Sequence, residues 1–358
     1  MTDTAVLQLL GKANPQAPTL LVLDENTAPL PRNPFATVQV VSNRFDICTQ
    51  ARTQGWPCEF SDFVFDAVAP AGCTQALYRI SKEKRVVEHV LQRLWALLPV
   101  GGELLCCGYK NEGIKTFAKR AQHAWQCEPA LVRGDLHLHF YHFVKRDNRA
   151  ELLNEADYHA LLPIGALNDQ VLLSKPGIFA WDRFDVGSSF LLEHLRDFLQ
   201  DSANARLDTA DKGALDLGCG YGLLALALLQ AGCRRVVATD NNAAAVRACT
   251  VNLEQHAGSS EVAVVAGDCG EGIEERFDLV LCNPPFHQGF DVERDLTDRF
   301  LLATRRLLQP KGRALFVVNS FIPLEAKAKE HFAQVDTLAD NHRFKLTVVS
   351  QPQRRPRQ

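Results

Sequence analysis

The second half of the chain alternates between short, continuous apolar runs and longer helix-like runs. Apolar runs of about four to eight residues are typical of β-strands that helices cover on both faces. A regular succession of such strands and helices predicts a doubly wound α/β sheet. The last two strands are separated only by a turn, which predicts an antiparallel pair at one edge. The predicted strands span residues 214–217, 235–240, 262–266, 277–282, 313–319, 334–339 and 343–350.

The first half repeats this pattern more faintly, which predicts an internal duplication. TLLVLDE (19–25) has the composition of a strand, and FSDFVFDAVAP (60–70) parallels RFDLVLCNPPF (276–286). In both halves a helical run, a turn with proline and glycine, and a further apolar run come next. The fold prediction is therefore two tandem, doubly wound Rossmann-like α/β domains, of which the second has seven strands and an antiparallel edge.

The first copy lacks the residues that carry chemistry in the second. No glycine-rich turn follows LLVLDE, and no Asn-Pro-Pro-aromatic motif follows FSDFVFD. A first domain that keeps the fold but lacks these motifs is predicted to bind a partner or support the second domain. The segment 146–170 is more polar and loses the strand rhythm, so a boundary is predicted there. The predicted division is a degenerate domain over 1–150, a linker over 151–172 and a catalytic domain over 173–358.

Composition favours a soluble globular protein of two ordinary domains. The 358 residues include no apolar run long enough to span a membrane, and the N-terminus lacks a secretory signal pattern. The 11 cysteines are scattered without a C-x-x-C pair, which predicts reduced thiols in a cytoplasmic protein and no metal site. The net charge is −3, but residues 1–150 hold 17 basic against 14 acidic side chains, which suits a polyanionic partner.

The string ALDLGCGYG (214–222) places a glycine-rich turn between a predicted strand and a predicted helix. Glycines there let the backbone bend sharply and approach a ligand closely, beside the free N–H groups of the helix N-terminus. The next strand ends at Asp240, which can accept the ribose hydroxyls of a nucleoside, and the following one at Asp268, which can reach an adenine amino group. These strand ends predict a nucleoside pocket, whose turn residues are Asp216, Gly218, Gly220 and Gly222.

The glycine spacing distinguishes between two nucleoside cofactors. NAD-binding turns typically have the spacing G-x-G-x-x-G and place a pyrophosphate on the helix N-terminus. Here the spacing is G-x-G-x-G, and Asp216 at the base of the turn suits an ammonium group. The pattern therefore favours S-adenosyl-L-methionine, which carries an ammonium and no phosphate, over NAD.

The Asn-Pro-Pro-Phe motif ends the fourth predicted strand, because two adjacent prolines cannot donate to a β-ladder. Ligands of open α/β sheets bind at such carboxyl ends. The side-chain oxygen of Asn283 and the carbonyl of Pro284 can accept the two N–H groups of a planar amine as it attacks a methyl group. Pro285 makes these acceptors rigid, and Phe286 offers a flat face on which an unpaired base can stack.

The motifs DLGCGYG, Asp240, GDC and NPPF, in this order, resemble those of class I S-adenosylmethionine-dependent methyltransferases that act on amino groups. With NPPFHQG, KPGIFAWDRFDVGSSFLLEHL (175–195) and GRALFVVNSFIP, the chain resembles more closely the bacterial ribosomal RNA small subunit methyltransferase C family. The resemblance implies methylation of guanine N2 in 16S rRNA, free or in the small ribosomal subunit or its assembly intermediate. It also implies further cofactor and substrate contacts at Phe179, Asp185, Gly187, Asn241, Cys269, Asn283 and His287.

Basic segments are candidate contacts for RNA phosphates. RISKEKR (79–85) and KNEGIKTFAKR (110–120) lie in the first half, and RRPR (354–357) lies near the end. Because the second half is acidic, we expect the first domain to hold the RNA, with a solvated surface as the alternative for each segment. The candidate residues are Lys82, Lys84, Arg85, Lys115, Lys119 and Arg120.

Other functions share parts of this pattern. Methyltransferases acting on guanine N2 of 23S rRNA, on protein glutamine N5 or on DNA adenine N6 have similar motifs. The α/β first half disfavours the glutamine enzymes, which carry a small helical first domain, and GRALFVVNSFIP favours the small subunit over the large one. The intact motifs disfavour a non-enzymatic RNA-binding protein. The alternating histidines of HLHFYH (137–142) have no third metal ligand beside them.

Overall fold

The chain folds into two compact units, Met1–Ala160 and Leu161–Gln358, each with its own β-sheet and hydrophobic core. No helix among the described residues is long and apolar enough to cross a membrane. The computed structural model describes residues 4–25, 27, 29–134, 137–199, 209–285 and 290–353, with the side chains of 290–295 left out.

Helices and strands alternate along the described part of the first unit. In chain order they are α1 (Ala5–Leu10), β1 (Thr19–Leu23), β2 (Val38–Ser42), α2 (Phe45–Thr53), β3 (Cys58–Phe60), β4 (Gln75–Arg79), α3 (Lys84–Leu97), β5 (Glu103–Tyr109), α4 (Ile114–Trp125), β6 (Ala130–Arg133) and β7 (Leu138–Val144). The seven strands form one sheet in the order β3-β2-β1-β4-β5-β7-β6. Strands β1 to β5 pair in parallel, whereas β7 is antiparallel to both of its neighbours.

The second unit begins with a hairpin and continues as a second α/β sheet. Its elements are β8 (Leu162–Leu167), β9 (Gln170–Ser174), α5 (Val186–Glu193), α6 (Leu195–Phe198), β10 (Gly213–Leu217), α7 (Leu223–Gln230), β11 (Arg235–Asp240), α8 (Ala243–His256), β12 (Glu261–Ala266), β13 (Phe277–Cys282), α9 (Phe290–Leu307), β14 (Leu308–Asn319), α10 (Leu324–Ala328), β15 (Phe332–Asp340) and β16 (Phe344–Pro352). The large sheet has the order β12-β11-β10-β13-β14-β16-β15. Its strand β16 is antiparallel to β14 and β15, and the remaining pairs are parallel.

The two sheets have the same strand order, with the seventh strand inserted antiparallel between the fifth and the sixth. This confirms the predicted pair of doubly wound α/β domains and the antiparallel edge of the second; the antiparallel strand of the first sheet was not predicted. The continuous apolar runs are explained by β13, where Leu279 and Leu281 face a core with α5, α7 and α8. Val280 and Cys282 face the opposite core, which α9 covers with Phe300. Both faces of the strand are buried, so no polar alternation is required.

One strand assignment in the first half is wrong. The segment 60–70 contains only the end of β3, and residues 61–69 are irregular, with bends and turns but no strand. The true counterpart of β13 is β4, which pairs with β1 as β13 pairs with β10. The apolar alternation misled the prediction because Phe63 and Phe65 pack into the core from an irregular segment, and Phe63 has a positive φ of 57°.

The corner at the end of β4 is filled by buried side chains and offers no counterpart to the Asn283 amide. Ile80 follows the last residue of β4 as Asn283 follows the last residue of β13. Ile80 is fully buried, and a Cβ built on Gly108 of β5 would lie 2.6 Å from its Cγ1. Beside it, Arg79 holds Glu112 through two hydrogen bonds of 2.8 Å. An apolar side chain and a buried ion pair thus fill the place of an acceptor amide.

The hairpin of β8 and β9 was not among the predicted strands. It packs on α7 and α8, where Asn252 accepts from the Leu173 N–H at 2.9 Å and donates to the Leu173 carbonyl at 2.8 Å. Gln230 of α7 donates to the Leu167 carbonyl at 2.7 Å. The hairpin therefore supports α7, which follows the glycine-rich turn, and α8, which packs against it.

Candidate active site

The glycine-rich turn joins β10 to α7 and has a backbone that other residues would strain. Gly222, directly before α7, has φ of +90°, and a Cβ there would lie 2.8 Å from Sγ of Cys249 on α8. Gly218 has φ of +84° and faces the ring of Phe300. The turn is held against β11 because the N–H groups of Gly218 and Cys219 both donate to the Thr239 carbonyl. The glycines thus allow close packing of helix against turn.

Asp216 is fully buried at the base of this turn. Its Oδ2 accepts the Ala225 N–H of α7 at 2.8 Å, whereas its Oδ1 has no hydrogen-bond partner among the described residues. Burial, the largest cause, and the nearby charge of Asp240 raise the pKa of Asp216 to about 7, although the hydrogen bond from Ala225 lowers it in part. A buried carboxylate oxygen without a partner fits a ligand that brings a cationic N–H group.

Asp240 ends β11 and ties three segments to one another. Its Oδ2 accepts the Gly220 N–H at 2.8 Å, and its Oδ1 accepts the Asn242 N–H at 2.9 Å. Asn242 caps α8 and donates to the Gly177 carbonyl at 2.9 Å. The segment 175–179, which the family resemblance singled out, is therefore fastened beside the glycine-rich turn, and Phe179 there is 54% exposed. The sequence offered no signal for the role of Asn242.

The third strand end places Asp268 and Cys269 in a short 3₁₀ turn after β12. Asp268 forms an ion pair with Arg299 of α9, a contact that sequence analysis missed. Cys269 has a positive φ of 48° and is half-buried. Asn241, next to Asp240, is also half-buried. Asp240, Asn241, Asp268 and Cys269 lie at or just beyond the carboxyl ends of β11 and β12, which are neighbouring parallel strands.

Asn283 directly follows β13 and has a defined amide orientation. Its Nδ2 donates to Oδ2 of Asp185 at 2.7 Å and to Oγ of Ser188 at 2.8 Å. A carboxylate can only accept, so the flipped amide would bring its oxygen against Asp185. Both N–H bonds are thus used within the protein, and the carbonyl Oδ1 is the acceptor that the amide presents. Pro284 beside it is buried and Pro285 is exposed.

Asp185 caps α5 by accepting the Ser188 N–H at 2.8 Å with the same Oδ2 that holds Asn283. Gly187 follows in the first turn, where a Cβ would lie 3.1 Å from that oxygen and 3.3 Å from Phe344. The structure therefore brings Asp185, Gly187 and Asn283 together. Phe286 and His287, which the sequence predicts as substrate contacts, lie outside the described residues, as does RRPR (354–357).

The predicted RNA contacts lie on the first unit, at the start of α3 and along α4. Lys84 lies 3.9 Å from Glu88, and Arg120 of α4 pairs with the same buried carboxylate. Arg85 donates to Asn154. Lys82, Lys115 and Lys119 are exposed. Two surface cavities border these residues: one of ≈ 690 Å³ includes Lys82, Lys110 and His137, and one of ≈ 550 Å³ includes Lys115, Lys119, Arg120 and His123.

Metal-binding geometry is not found within the part of the chain that the structure describes, where no three His, Cys, Asp or Glu side chains are grouped to hold an ion. His139, one of the alternating histidines, is buried, and its ring contacts the His137 carbonyl at 2.8 Å.

Comparison with known proteins places these features in a family. Residues 169–348 match the family described as methyltransferase small domain. The ribosomal RNA small subunit methyltransferase C of Pseudomonas paraeruginosa is 31% identical over 293 residues, covering 80% of this chain and 82% of the relative. That of Erwinia tasmaniensis is 30% identical over 278 residues, covering 77% and 75%.

A solved structure shares the fold over both units. The T. thermophilus 16S rRNA N2 G1207 methyltransferase, in complex with AdoMet and guanosine, matches with a TM-score of 0.81 at 23% identity. The match covers 98% of this chain and 92% of that one. Taken with the family match and the curated relatives, the motifs lead to one assignment: the chain belongs to the ribosomal RNA small subunit methyltransferase C family.

Proposed function

We propose that this chain transfers a methyl group from S-adenosyl-L-methionine to the exocyclic N2 of one guanine in 16S rRNA. The observation that carries the proposal is the orientation of the Asn283 amide, whose Oδ1 is presented as an acceptor while both Nδ2 hydrogens are held by Asp185 and Ser188. An acceptor fits the N–H group of a planar amine. Family membership supports the choice of rRNA as the substrate class.

The strand ends around the glycine-rich turn would hold the cofactor. The unpartnered Oδ1 of Asp216 suits its ammonium group, and Asp240 suits the ribose hydroxyls. Asp268, shared with Arg299, would face the adenine amino group. Once bound, S-adenosyl-L-methionine supplies an electrophilic methyl group. The remaining residues proposed for this pocket are Phe179, Gly187, Gly218, Gly220, Gly222, Asn241 and Cys269.

The chain's own contribution to chemistry is orientation and charge stabilisation. The guanine N2 lone pair is delocalised into the ring, so the amine is a weak nucleophile. Asn283 Oδ1 and the Pro284 carbonyl would accept its two N–H bonds and stabilise the positive charge that grows on N2. Methylated N2 is acidic and releases its proton to solvent without a strong base. Phe286 is proposed to stack on the target base.

The first unit is proposed to hold the RNA backbone through a basic face. We define the α3/α4 basic face as Lys84 and Arg85 of α3 with Lys115, Lys119 and Arg120 of α4; Lys82 lies just before α3. The buried Glu88 neutralises part of this charge by pairing with Arg120 and approaching Lys84. Lys115 and Lys119, one helical turn apart and exposed, are therefore the strongest candidates for phosphate contacts.

The decisive experiment incubates the full chain with labelled S-adenosyl-L-methionine and each of four substrates: free 16S rRNA, free 23S rRNA, the assembled small subunit and an assembly intermediate. Label in 16S rRNA that maps to N2 of a single guanine supports the proposal. Label confined to 23S rRNA would replace it with the large-subunit activity, and label in a protein glutamine would replace it with glutamine methylation. Asn283→Ala should lose transfer and retain cofactor binding, which separates the acceptor role from folding.

A further inference from the structure

We propose that Asp185 and Ser188 are positioning residues that fix the catalytic amide of Asn283 with its oxygen toward the substrate amine. The inference rests on the proposed function and assigns to Asp185 a task other than lining the cofactor pocket. It is carried by two distances, 2.7 Å from Nδ2 to Asp185 Oδ2 and 2.8 Å from Nδ2 to Ser188 Oγ.

An asparagine amide has two nearly isosteric orientations, which differ in whether an acceptor or a donor faces the substrate. Presented with its NH₂ group, Asn283 would oppose the N–H bonds of the amine and the positive charge that develops on it. Two acceptors around Nδ2 remove that alternative, because the flipped oxygen would lie against the Asp185 carboxylate. The choice of orientation is thus made by residues that do not touch the substrate.

The positioning pair is itself held rigidly. Asp185 Oδ2 accepts the Ser188 N–H at 2.8 Å. The first turn of α5 therefore holds in place the oxygen that accepts from Asn283. Ser188 is buried in the first turn of the same helix. Gly187 between them leaves room for the carboxylate, since a Cβ at that position would approach Oδ2 to 3.1 Å. One helix terminus therefore supplies both acceptors for the Asn283 amide.

The helix cap and the contact with Asn283 can be separated by the choice of substitution at Asp185. Asp185→Asn has an oxygen at the same reach and retains both hydrogen bonds. Asp185→Ser retains the cap, because serine is also a good N-cap residue. Its shorter side chain does not reach Asn283, so that hydrogen bond is lost. Ser188→Ala removes the second acceptor without disturbing the backbone of α5. These three variants and the wild type form a matched series.

The test measures kcat and KM for the rRNA substrate, the Kd for S-adenosyl-L-methionine and the Tm of each variant. We expect Asp185→Ser to lower kcat by about 10- to 100-fold, since a misoriented catalytic group costs about that much. Ser188→Ala should lower kcat by a smaller factor, and Asp185→Asn should stay within about threefold of the wild type, as conservative rescue predicts. Cofactor Kd and Tm should change little across the series.

Equal kcat values for Asp185→Ser and Asp185→Asn would overturn the inference and leave Asp185 as a helix cap only. A loss of cofactor affinity in Asp185→Ser with unchanged kcat would also overturn it, in favour of a cofactor contact. Failure of the proposed function has a different signature, because the wild-type chain itself would then transfer no methyl group to guanine N2. The series would in that case be repeated on whichever amine substrate the wild type methylates.

Discussion

The side-chain nitrogen of Asn283 donates to Oδ2 of Asp185 at 2.7 Å, across 98 residues of sequence. This hydrogen bond joins the end of a central β-strand to the cap of a helix that precedes the glycine-rich turn in the chain. The proposed catalytic corner is therefore completed by a segment from outside the Asn-Pro-Pro-Phe motif. Variants on either side of the bond are the most direct way to examine the site.

Asn283→Asp should lower kcat by at least about 100-fold, because it sets two carboxylates within hydrogen-bond distance and leaves no N–H between them. Adding Asp185→Asn should restore part of the activity, since it replaces one of the two opposed carboxylates with a neutral amide. Single-turnover methyl transfer measures both effects. If the kcat of Asn283→Asp were within twofold of the wild-type value, the assigned acceptor geometry would be contradicted.

Gly222→Ala should lower the free energy of unfolding by about 2–5 kcal/mol, the sum of a left-handed backbone strain and overpacking. The steric part arises from Cys249 Sγ, which lies 2.8 Å from the added Cβ. Gly272→Ala is the matched control, because Gly272 has φ of +83° with nothing within 4 Å. Urea unfolding of both variants separates the two contributions. Equal losses would show that contact with α8 does not constrain the turn.

Asp216 predicts a pH dependence of the free protein's stability. Its pKa is about 7 in the folded chain and about 3.9 when unfolded. Between these values the folded state binds more protons, so stability falls as pH rises from about 4 to 7 and this contribution is constant above 7. Asp216→Asn should remove that slope in urea unfolding at pH 5, 6, 7 and 8. Parallel curves for the two proteins would contradict a buried, protonated Asp216.

The same carboxyl predicts how cofactor affinity changes with pH. A cationic ammonium favours the ionised form of Asp216. As the pH rises toward 7, the Kd for S-adenosyl-L-methionine should therefore decrease by up to about tenfold per pH unit, and it should level off above pH 7. Isothermal titration calorimetry across this range provides the measurement. Asp216→Asn should bind more weakly and without the slope, and an unchanged profile in that variant would exclude Asp216 from the ammonium site.

Charge reversal of Lys115 and Lys119 should weaken rRNA binding. It should also make the plot of log binding constant against log salt concentration less steep, by about one unit of slope per lost phosphate contact. The matched control is Lys311→Glu with Lys329→Glu, two exposed lysines of the second unit with the same change in charge. Filter binding at several salt concentrations gives both quantities. Equal effects of the two pairs would point to net charge alone, without an α3/α4 basic face.

Arg120 is unsuited to the same test. It pairs with Glu88, whose side chain is only 2% exposed, so its removal leaves a buried carboxylate that only the Asn154 amide and the more distant Lys84 contact. Breaking a fully buried ion pair typically costs about 3–5 kcal/mol of stability, and the partial exposure of Arg120 makes the expected cost here smaller but still destabilising. Weak RNA binding by an Arg120 variant would therefore report on unfolding as much as on phosphate contact.

The second sheet could be predicted because its strands are buried on both faces and its turn needs glycine at defined positions. Residues 235–240 and 277–282 were predicted with the bounds that the structure has. The counterpart strand β4 was missed because QALYR is short, and the richer apolar pattern of 60–70 belongs to side chains that reach the core from turns. Both segments bury apolar side chains, and burial selects the same apolar residue pattern whether or not a strand forms.

Contacts that join distant segments could not be predicted in the same way. Nothing in the spacing of Asn283 and Ser188 indicates that they meet, because their proximity arises where α5 packs against β14, the neighbour of β13 in the sheet. The pairing of Asp268 with Arg299 is of the same kind. Motifs identify the groups that do chemistry, whereas the groups that orient them become visible only once the chain is folded.

The shared strand order of the two sheets has a consequence for how the protein is made. Each copy contains strands with nearly equivalent neighbours in the other, such as the five-residue β1 and β10, so exchange between copies is a natural route to misassembly. Synthesis from the N-terminus lets the first copy close its sheet before β10 has left the ribosome. Refolding from denaturant removes that order, and both copies then compete for the same strands at once.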